Sequence, residues 1–324
     1  MSERVFVDLE AKRHAVPVLV GIIGASGTGK TFSALRMASG MQQVVGGDIH
    51  FIDTENRRAL HYADVFRFRH VHFAPPFSPD DYLLALQHCV AKGAKTIVVD
   101  SMSHEHEGEG GVLEWHESEM DRMCKGDDSK RDKYKFSAWI EPKAARQRLI
   151  NGILRLSANV IFCFRAKEKL KVIPGKQPEP LGWMPIAGDE FLYELTTCAL
   201  LMPGANGIPT WNPKEQGEKA MVKRPRQFDE LLRRFEKSQL CEEIGAEMAR
   251  WAMGDNSPPL KREQPRETYA RLDAAIDKAT THADLDMIAR ENEAMGMSGK
   301  FKAESQSALA AKIEAKRATL AEGA

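Results

Sequence analysis

Three glycines, a lysine and a threonine are closely spaced in one short segment and satisfy the pattern GxxxxGK[ST] in full. Glycines let the backbone curl so that several N–H groups point at one phosphate, and a following helix adds the positive end of its dipole. The lysine then reaches the β- and γ-phosphates, and the threonine hydroxyl ligates Mg²⁺. The segment therefore predicts a site for ATP and Mg²⁺. Its residues are Gly24, Ala25, Ser26, Gly27, Thr28, Gly29, Lys30 and Thr31.

A second candidate lies at the end of an apolar run. Residues 96–99 are Thr-Ile-Val-Val, and Asp100 follows them directly. P-loop ATPases place a carboxylate at the carboxyl end of a strand, where it holds Mg²⁺, usually through water. We therefore predict that Asp100 and Thr31 together form the magnesium site.

These residues must be positioned by alternating strands and helices. Short apolar runs alternate with helical patterns, which is typical of βαβ units and a parallel sheet. The predicted fold class is α/β, with a mostly parallel central sheet flanked by helices. The predicted strands are 18–23, 48–53, 70–73, 96–99 and 160–164, and the predicted helices are 31–41, 79–92 and 142–156.

Composition narrows the protein class. The 324 residues are 43% apolar and 28% charged, which is typical of an ordinary globular protein. The net charge is zero, so any nucleic-acid surface must be a local patch. Five scattered cysteines without a CxxC pair indicate neither a disulfide framework nor a zinc knuckle, and they favour a reducing cytosol. The amino-terminal residues are too charged for a signal peptide, and no apolar stretch is long enough for a membrane helix. We expect a cytoplasmic protein.

Several segments resemble RecA-type recombinases. Residues 51–55, Phe-Ile-Asp-Thr-Glu, followed by Ala59-Leu60 and Tyr62-Ala63, resemble the segment that ends a strand in that family. Residues 98–101 are similar to its Walker B segment. Further similarity lies in residues 149–154, 160–165 and 188–195, so the resemblance covers residues 18–253. The Ser-His pair after Asp100 is most similar to phage-encoded ATPases associated with single-strand annealing and recombination.

The resemblance implies a RecA-like P-loop NTPase core with further catalytic residues. Glu55 would be the general base or the carboxylate that orients the attacking water. Arg165 stands where RecA proteins carry a glutamine that senses the γ-phosphate. The arginine could keep that sensing role or stabilise charge on the phosphate directly. The alternatives are a solvated turn residue for Glu55 and a surface ion pair for Arg165. Lys30 and Asp100 complete the predicted catalytic set.

The same resemblance suggests assembly. Basic residues follow the hairpin-like segment 196–211, where RecA proteins carry lysines that reach the neighbouring subunit's nucleotide. Lys223 and Arg224 are the candidates, and they imply a homo-oligomer with ATP at subunit interfaces. A solvated basic strand edge is the alternative.

Two basic segments, both predicted to be loops, are candidates for binding single-stranded DNA. Cations interleaved with aromatic residues suit a single strand, because lysines meet phosphates while bases stack on rings. Charge runs are more often solvated surface. The first segment, 103–137, carries Lys133, Tyr134 and Lys135; the second, 165–183, carries Lys169, Lys171 and Lys176.

The first of these segments also contains His104, His106 and His116. An extended His-x-His segment would place two imidazoles on one side, as a metal site requires. No convincing third and fourth ligands are evident, so a flexible loop near the Mg²⁺ is the favoured interpretation.

The chain changes character after residue 254. Residues 255–265 are polar and proline-rich and are typical of a linker. Three helical patterns follow in residues 266–324, which predicts a small all-α module beside the core of residues 1–254. The module would dock on the core or recruit other recombination or replication proteins. Two alternatives for the whole chain are open: a P-loop kinase, or a nucleotide-gated adaptor that does not act on DNA.

Overall fold

The computed structural model describes residues 16–173, 177–214, 216–219, 221–254, 265–297 and 301–322. The chain divides into two compact units, Met1–Pro259 and Leu260–Ala324. The predicted linker lies outside the described residues except for its last residue, Pro265, which begins a helix. Among the described helices, none is long and apolar enough to cross a membrane.

The first unit is built on one sheet of seven strands. Six of them run in the order β3-β2-β4-β5-β1-β7, with parallel pairing throughout, and β6 pairs antiparallel with the second half of β5. The strands are β1 (Leu19–Gly24), β2 (Ile49–Asp53), β3 (Arg69–His72), β4 (Thr96–Asp100), β5 (Asn159–Lys171), β6 (Glu179–Pro185) and β7 (Thr197–Leu201). The predicted α/β class with a mostly parallel sheet is confirmed.

Helices cover both faces of this sheet because its central strands are apolar on both sides. One apolar cluster contains Leu35 and Met41, and the other contains Tyr82 and Leu149. The helices are α1 (Lys30–Val45), α2 (Pro79–Ala91), α3 (His104–Glu107), α4 (Val112–Cys124), α5 (Arg131–Tyr134), α6 (Ile140–Ile153), α7 (Asp189–Glu194), α8 (Gln216–Lys219), α9 (Asp229–Arg234) and α10 (Glu242–Ala252).

Helix α1 is held against α10 by a close backbone approach. A Cβ atom on Gly40 would lie 1.8 Å from the carbonyl oxygen of Glu242, so only glycine fits there. On the same interface, Arg36 donates to both carboxylate oxygens of Glu242, at 2.8 and 2.6 Å. These contacts fix the helix that begins at Lys30.

Both segments that were predicted to be loops have regular structure. Residues 103–137 contain α3, α4 and α5, because four residues at helical spacing in α4 are buried although the segment is strongly charged: Val112, His116, Met120 and Cys124. Residues 165–183 belong mostly to β5 and β6. Exposed charged residues occupy that part of β5, and main-chain pairing with β6 stabilises it. The loop predictions were wrong for these ranges.

The described residues of the second unit form three helices, as predicted: α11 (Pro265–Lys278), α12 (His282–Met297) and α13 (Ala303–Glu322). Their shared apolar core includes Leu272, Leu285 and Leu309. The Thr281 hydroxyl accepts from the Asp284 N–H at 3.1 Å, and the Asp284 carboxylate accepts from the Thr281 N–H at 3.0 Å. This reciprocal pair caps the start of α12.

Candidate active site

The carboxyl edge of the parallel sheet collects the predicted catalytic residues. Strand register places Gly24 opposite Arg165, and it places Asp53 opposite Asp100. Because β5 lies between β1 and β4, Arg165 emerges between the phosphate-binding loop and Asp100. Ligands of open α/β sheets bind at this edge.

The loop of residues 24–31 curls as its glycines allow. Gly29 has φ of 91°, and its Cβ position would lie 2.9 Å from the backbone nitrogen of Gly207. Both the backbone conformation and the lack of space therefore favour glycine here. The Lys30 ammonium donates to the Ala25 carbonyl at 2.7 Å. Burial lowers the pKa of Lys30, while nearby carboxylates, including Asp100, oppose that shift. Lys30 therefore lies in a partly desolvated site beside the loop.

Thr31 and Asp100 form the oxygen pair predicted for magnesium. The Thr31 hydroxyl donates to Asp100 Oδ2 at 2.5 Å. Burial raises the pKa of Asp100 to about 6, against the opposing effects of the Thr31 hydrogen bond and Lys30. A buried carboxylate and a hydroxyl are hard oxygen donors of the kind that Mg²⁺ prefers, and a cation would favour the ionised carboxylate. The residues therefore fit the ion.

Glu55 and Arg165 pair with each other. Arg165 Nε donates to Glu55 Oε1 at 2.9 Å, and Nη2 donates to Oε2 at 2.7 Å. The Glu55 side chain is 16% exposed, whereas that of Arg165 is 41% exposed. Glu55 is therefore not a solvated turn residue. Arg165 does form an ion pair, but its partner is the predicted general base.

Asp53 fixes the backbone that carries Glu55, a role that sequence analysis missed. Its Oδ1 accepts from the Glu55 N–H at 2.8 Å, and its Oδ2 accepts from the Ala59 N–H at 3.0 Å. The same Oδ2 lies 3.0 Å from His70 Nε2. In the sequence, its place at the end of the predicted strand 48–53 was the signal that could have pointed to this role.

The three histidines do not form a metal site. His104 contacts the Thr54 hydroxyl, His106 accepts from Arg146, and His116 stacks on Trp139 with ring centroids 4.1 Å apart. The favoured interpretation of a flexible loop was wrong for His104 and His106, because residues 104–107 are helical, and the two side chains have different partners.

A cavity of about 510 Å³ lies at this edge of the sheet. It adjoins the phosphate-binding loop, both carboxylates and Arg165. It is also lined by Tyr62, which lies in the segment that resembles the RecA family, and by two neighbouring residues that sequence analysis did not single out. Those two residues are Arg58 and His61.

Lys223 and Arg224 have partners within the chain. Lys223 Nζ donates to the carbonyls of Tyr193 and Leu195, at 3.0 and 2.5 Å, and Arg224 Nε lies 2.8 Å from an Asp229 carboxylate oxygen. Neither residue lines the cavity. Their action on a neighbouring subunit stays a prediction.

The predicted DNA-binding residues occupy two surfaces. Lys133 and Tyr134 end α5 and Lys135 follows, with Lys133 Nζ 5.2 Å from the Tyr134 ring centroid. Phe136, next along the chain, is 82% exposed and was missed by sequence analysis, although it directly follows Lys135. On the other surface, the exposed residues Lys169 and Lys171 lie on β5, beyond the catalytic edge. Lys176 lies outside the described residues.

Comparison with known proteins identifies one family. The sequence model of AAA_24, described as an AAA domain, matches residues 17–197, just over half of the chain. Among curated proteins, none matches this sequence. A similar solved structure is the KaiC-like protein PH0186 from the hyperthermophilic archaeon Pyrococcus horikoshii OT3. It has 16% identity and a TM-score of 0.32, and the match covers 59% of this chain and 80% of that one.

Proposed function

The chain belongs to the AAA_24 family of AAA domains, and on that premise we propose that it is a Mg²⁺-dependent ATPase that acts on single-stranded DNA. The family and the fold establish a P-loop ATPase domain. The proposal adds DNA binding, assembly into a homo-oligomer and a role in recombination or annealing of the phage type. Those additions are supported by the sequence resemblance and by the surfaces described above.

One observation carries the catalytic part. A phosphate-binding loop, a hydroxyl–carboxylate pair and a second carboxylate paired with an arginine surround one cavity at the carboxyl edge of the sheet. Phosphoryl transfer needs positioning and electrostatic stabilisation more than covalent chemistry. This arrangement supplies each of the groups needed.

The residues divide the work by position. The loop N–H groups and Lys30 would hold the β- and γ-phosphates. Thr31 and Asp100 would hold Mg²⁺, which neutralises charge on the phosphates when bound. Glu55, on a different strand from Asp100, would orient the attacking water and take its proton.

Arg165 would contribute positive charge at the γ-phosphate. In the structure, its guanidinium is engaged by Glu55, but its side chain is half exposed and lines the cavity. A phosphate in the cavity would compete for it, since charge-assisted contacts to arginine are strong. Such competition would couple nucleotide binding to the release of the general base.

The DNA proposal depends most on the surface around α5. Phe136 and Ile140 are 82% and 64% exposed, and Lys133 and Lys135 lie beside them in the chain. The exposed Phe136 ring next to these lysines suits an unstacked base and its phosphate. Lys169 and Lys171 offer a second basic surface.

Assembly would bring Lys223 and Arg224 to a neighbouring subunit's nucleotide. Lys223 would first have to give up its two carbonyl partners. The double variant Lys223→Ala/Arg224→Ala tests this. Turnover that stays at the wild-type level would remove a role for these residues across the interface.

ATP hydrolysis by the wild-type protein, Lys30→Ala and Glu55→Gln tests the catalytic proposal. Loss of the lysine should abolish binding and turnover. Glu55→Gln should lower kcat by about 10²- to 10⁴-fold while the protein still binds a non-hydrolysable ATP analogue, since positioned proton acceptors contribute that much. Turnover that is unaffected by either change would contradict the proposed site.

The proposed action on DNA is tested by measuring ATP turnover and DNA binding in the presence of single-stranded DNA at two salt concentrations. Phe136→Ala should weaken DNA binding, and Leu84→Ala, which also removes an exposed apolar side chain, is the matched control. Binding should fall as salt rises, because phosphate contacts release counterions. A protein that hydrolyses ATP but retains no DNA would instead be a kinase or an adaptor.

A further inference from the structure

His104 lies directly behind the predicted general base. It begins α3, four residues after Asp100, and the buried segment between them is tied to the sheet. The Ser103 hydroxyl accepts from the Arg165 N–H at 2.8 Å, and the Met102 N–H donates to the Cys163 carbonyl at 2.9 Å. The imidazole stacks on Phe77, with ring centroids 5.0 Å apart. Its position is therefore well fixed.

Its hydrogen-bond partners determine which ring nitrogen carries the proton. His104 Nδ1 lies 2.8 Å from Thr54 Oγ1. That hydroxyl donates its single proton to the Ser101 carbonyl at 3.1 Å and accepts from the Ser101 N–H at 2.8 Å. With the hydroxyl proton on the Ser101 carbonyl, which also accepts from the Tyr82 hydroxyl at 2.7 Å, Nδ1 is the donor to Thr54. In the neutral ring, Nε2 is then an acceptor.

That acceptor faces Glu55. His104 Nε2 lies 3.9 Å from Glu55 Oε1, and the charged groups around the ring are Glu55, Arg165 and Glu107. Burial and then Arg165 lower the pKa of His104, while Glu55 and Glu107 oppose that shift. The neutral ring is thus favoured at neutral pH, with a free lone pair toward the carboxylate.

We propose that His104 is a positioning residue that accepts, at Nε2, the proton that Glu55 takes from the attacking water. The proposal rests on the ATPase function proposed above. It gives Glu55 a route back to its ionised form inside a site that Arg165 and the nucleotide would otherwise close. His104 does not line the cavity and acts through Glu55.

The proton balance is complete. The water oxygen forms a bond to the γ-phosphorus, and the bond from that phosphorus to the bridging oxygen breaks, so the electron pair leaves with ADP. The water proton passes to Glu55 Oε1 and then to His104 Nε2. The resulting imidazolium later releases the proton to solvent, and this is the proton that hydrolysis at neutral pH sets free.

The separation of 3.9 Å is longer than a hydrogen bond, so the carboxyl group must approach by about 1 Å. Protonation of Glu55 would cause this movement. A neutral Glu55 loses its charge attraction to Arg165, which frees the group to turn toward Nε2.

The experiment compares His104→Asn with His106→Asn. An asparagine at 104 can still donate to Thr54 from the place of Nδ1 but has no atom at Nε2. We expect kcat to fall about tenfold, a part of the 10²- to 10⁴-fold typical of positioned proton transfer. Affinity for a non-hydrolysable analogue should not change. His106→Asn, on the same helix but facing Arg146, should keep wild-type turnover.

Two further measurements separate proton transfer from structural support. The wild-type kcat should fall at acidic pH as His104 and Asp100, whose pKa burial raises to about 6, become protonated, and His104→Asn should keep only the part due to Asp100. Nitrogen-15 spectra of the wild-type protein should show a neutral ring with the proton on Nδ1. Wild-type turnover in His104→Asn, or the proton on Nε2, would overturn the proposal. If Lys30→Ala also keeps its turnover, the ATPase function itself fails.

Discussion

The two units of the chain offer a comparison between a buried and an exposed set of ion pairs. In the first, Arg146 and Glu105 form a bidentate pair at 3.0 and 3.1 Å, with side chains only 7% and 4% exposed. In the second, Lys312 pairs with Asp273 and Asp277 at the surface. Buried pairs fix one arrangement of neighbouring elements, whereas surface pairs add little stability. In the first unit a buried ion pair thus joins α3 to α6, whereas the helical unit relies on its apolar core.

The largest expected effect is on the buried pair. Arg146→Met should destabilise the first unit by about 3–5 kcal/mol, because it leaves Glu105 buried without its partner. Chemical denaturation measures this. The double variant Arg146→Met/Glu105→Leu is the control and should recover most of the loss. A single variant as stable as the wild type would remove the contrast between the units.

In the helical unit, the corresponding loss should come from apolar packing. Leu309→Ala should destabilise it by about 2–5 kcal/mol, since the side chain is fully buried in the shared core. Hydrogen exchange should show faster opening in α11, α12 and α13. Met287→Ala is the matched control, because that side chain is 71% exposed. Equal effects of the two changes would mean that these helices lack a specific core.

A smaller effect is expected at the start of α12. Thr281→Ala removes the hydroxyl that caps the Asp284 N–H and should cost about 1 kcal/mol. Exchange of the first amides of α12 is the measurement. Thr319→Ala deletes a hydroxyl that is bonded to the Lys316 carbonyl within α13, and it should have less effect. If both variants behave alike, the reciprocal cap is not a source of stability.

The last prediction concerns how the stability of the first unit depends on pH. Burial and then Arg146 lower the pKa of His106 to about 4. A depressed histidine pKa contributes stability that is complete above the unfolded value of about 6.5 and is lost as pH falls toward 4. His106→Gln should reduce the acid sensitivity of the first unit over that window. Glu105, whose pKa burial raises, acts in the opposite direction and is present in both proteins, so their difference isolates His106.

Local patterns predicted much of the fold. Apolar runs predicted the central strands, and helical spacing predicted the three carboxyl-terminal helices. The structure contains all of these elements. Two segments were assigned wrongly because charge obscured their structure. In α4, four buried residues lie among acidic and basic neighbours. The second half of β5 is rich in exposed lysines and has few apolar residues, so it lacks the pattern of a buried strand. Main-chain pairing with β6 makes it a strand.

The sequence by itself determined which residues could bind a nucleotide and its cation. Glycine spacing, Lys30, Thr31 and a carboxylate after an apolar strand are local features with local physical reasons. Only the tertiary structure decided the contacts between them. Glu55 and Arg165 are 110 residues apart, and they meet because Glu55 follows the end of β2 and Arg165 ends the parallel-paired part of β5, at the same edge of the sheet. The orientation of His104 likewise depends on Thr54, from another strand end. Hydrogen-bond geometry between distant segments leaves no periodic signal in a chain, so folding alone establishes it.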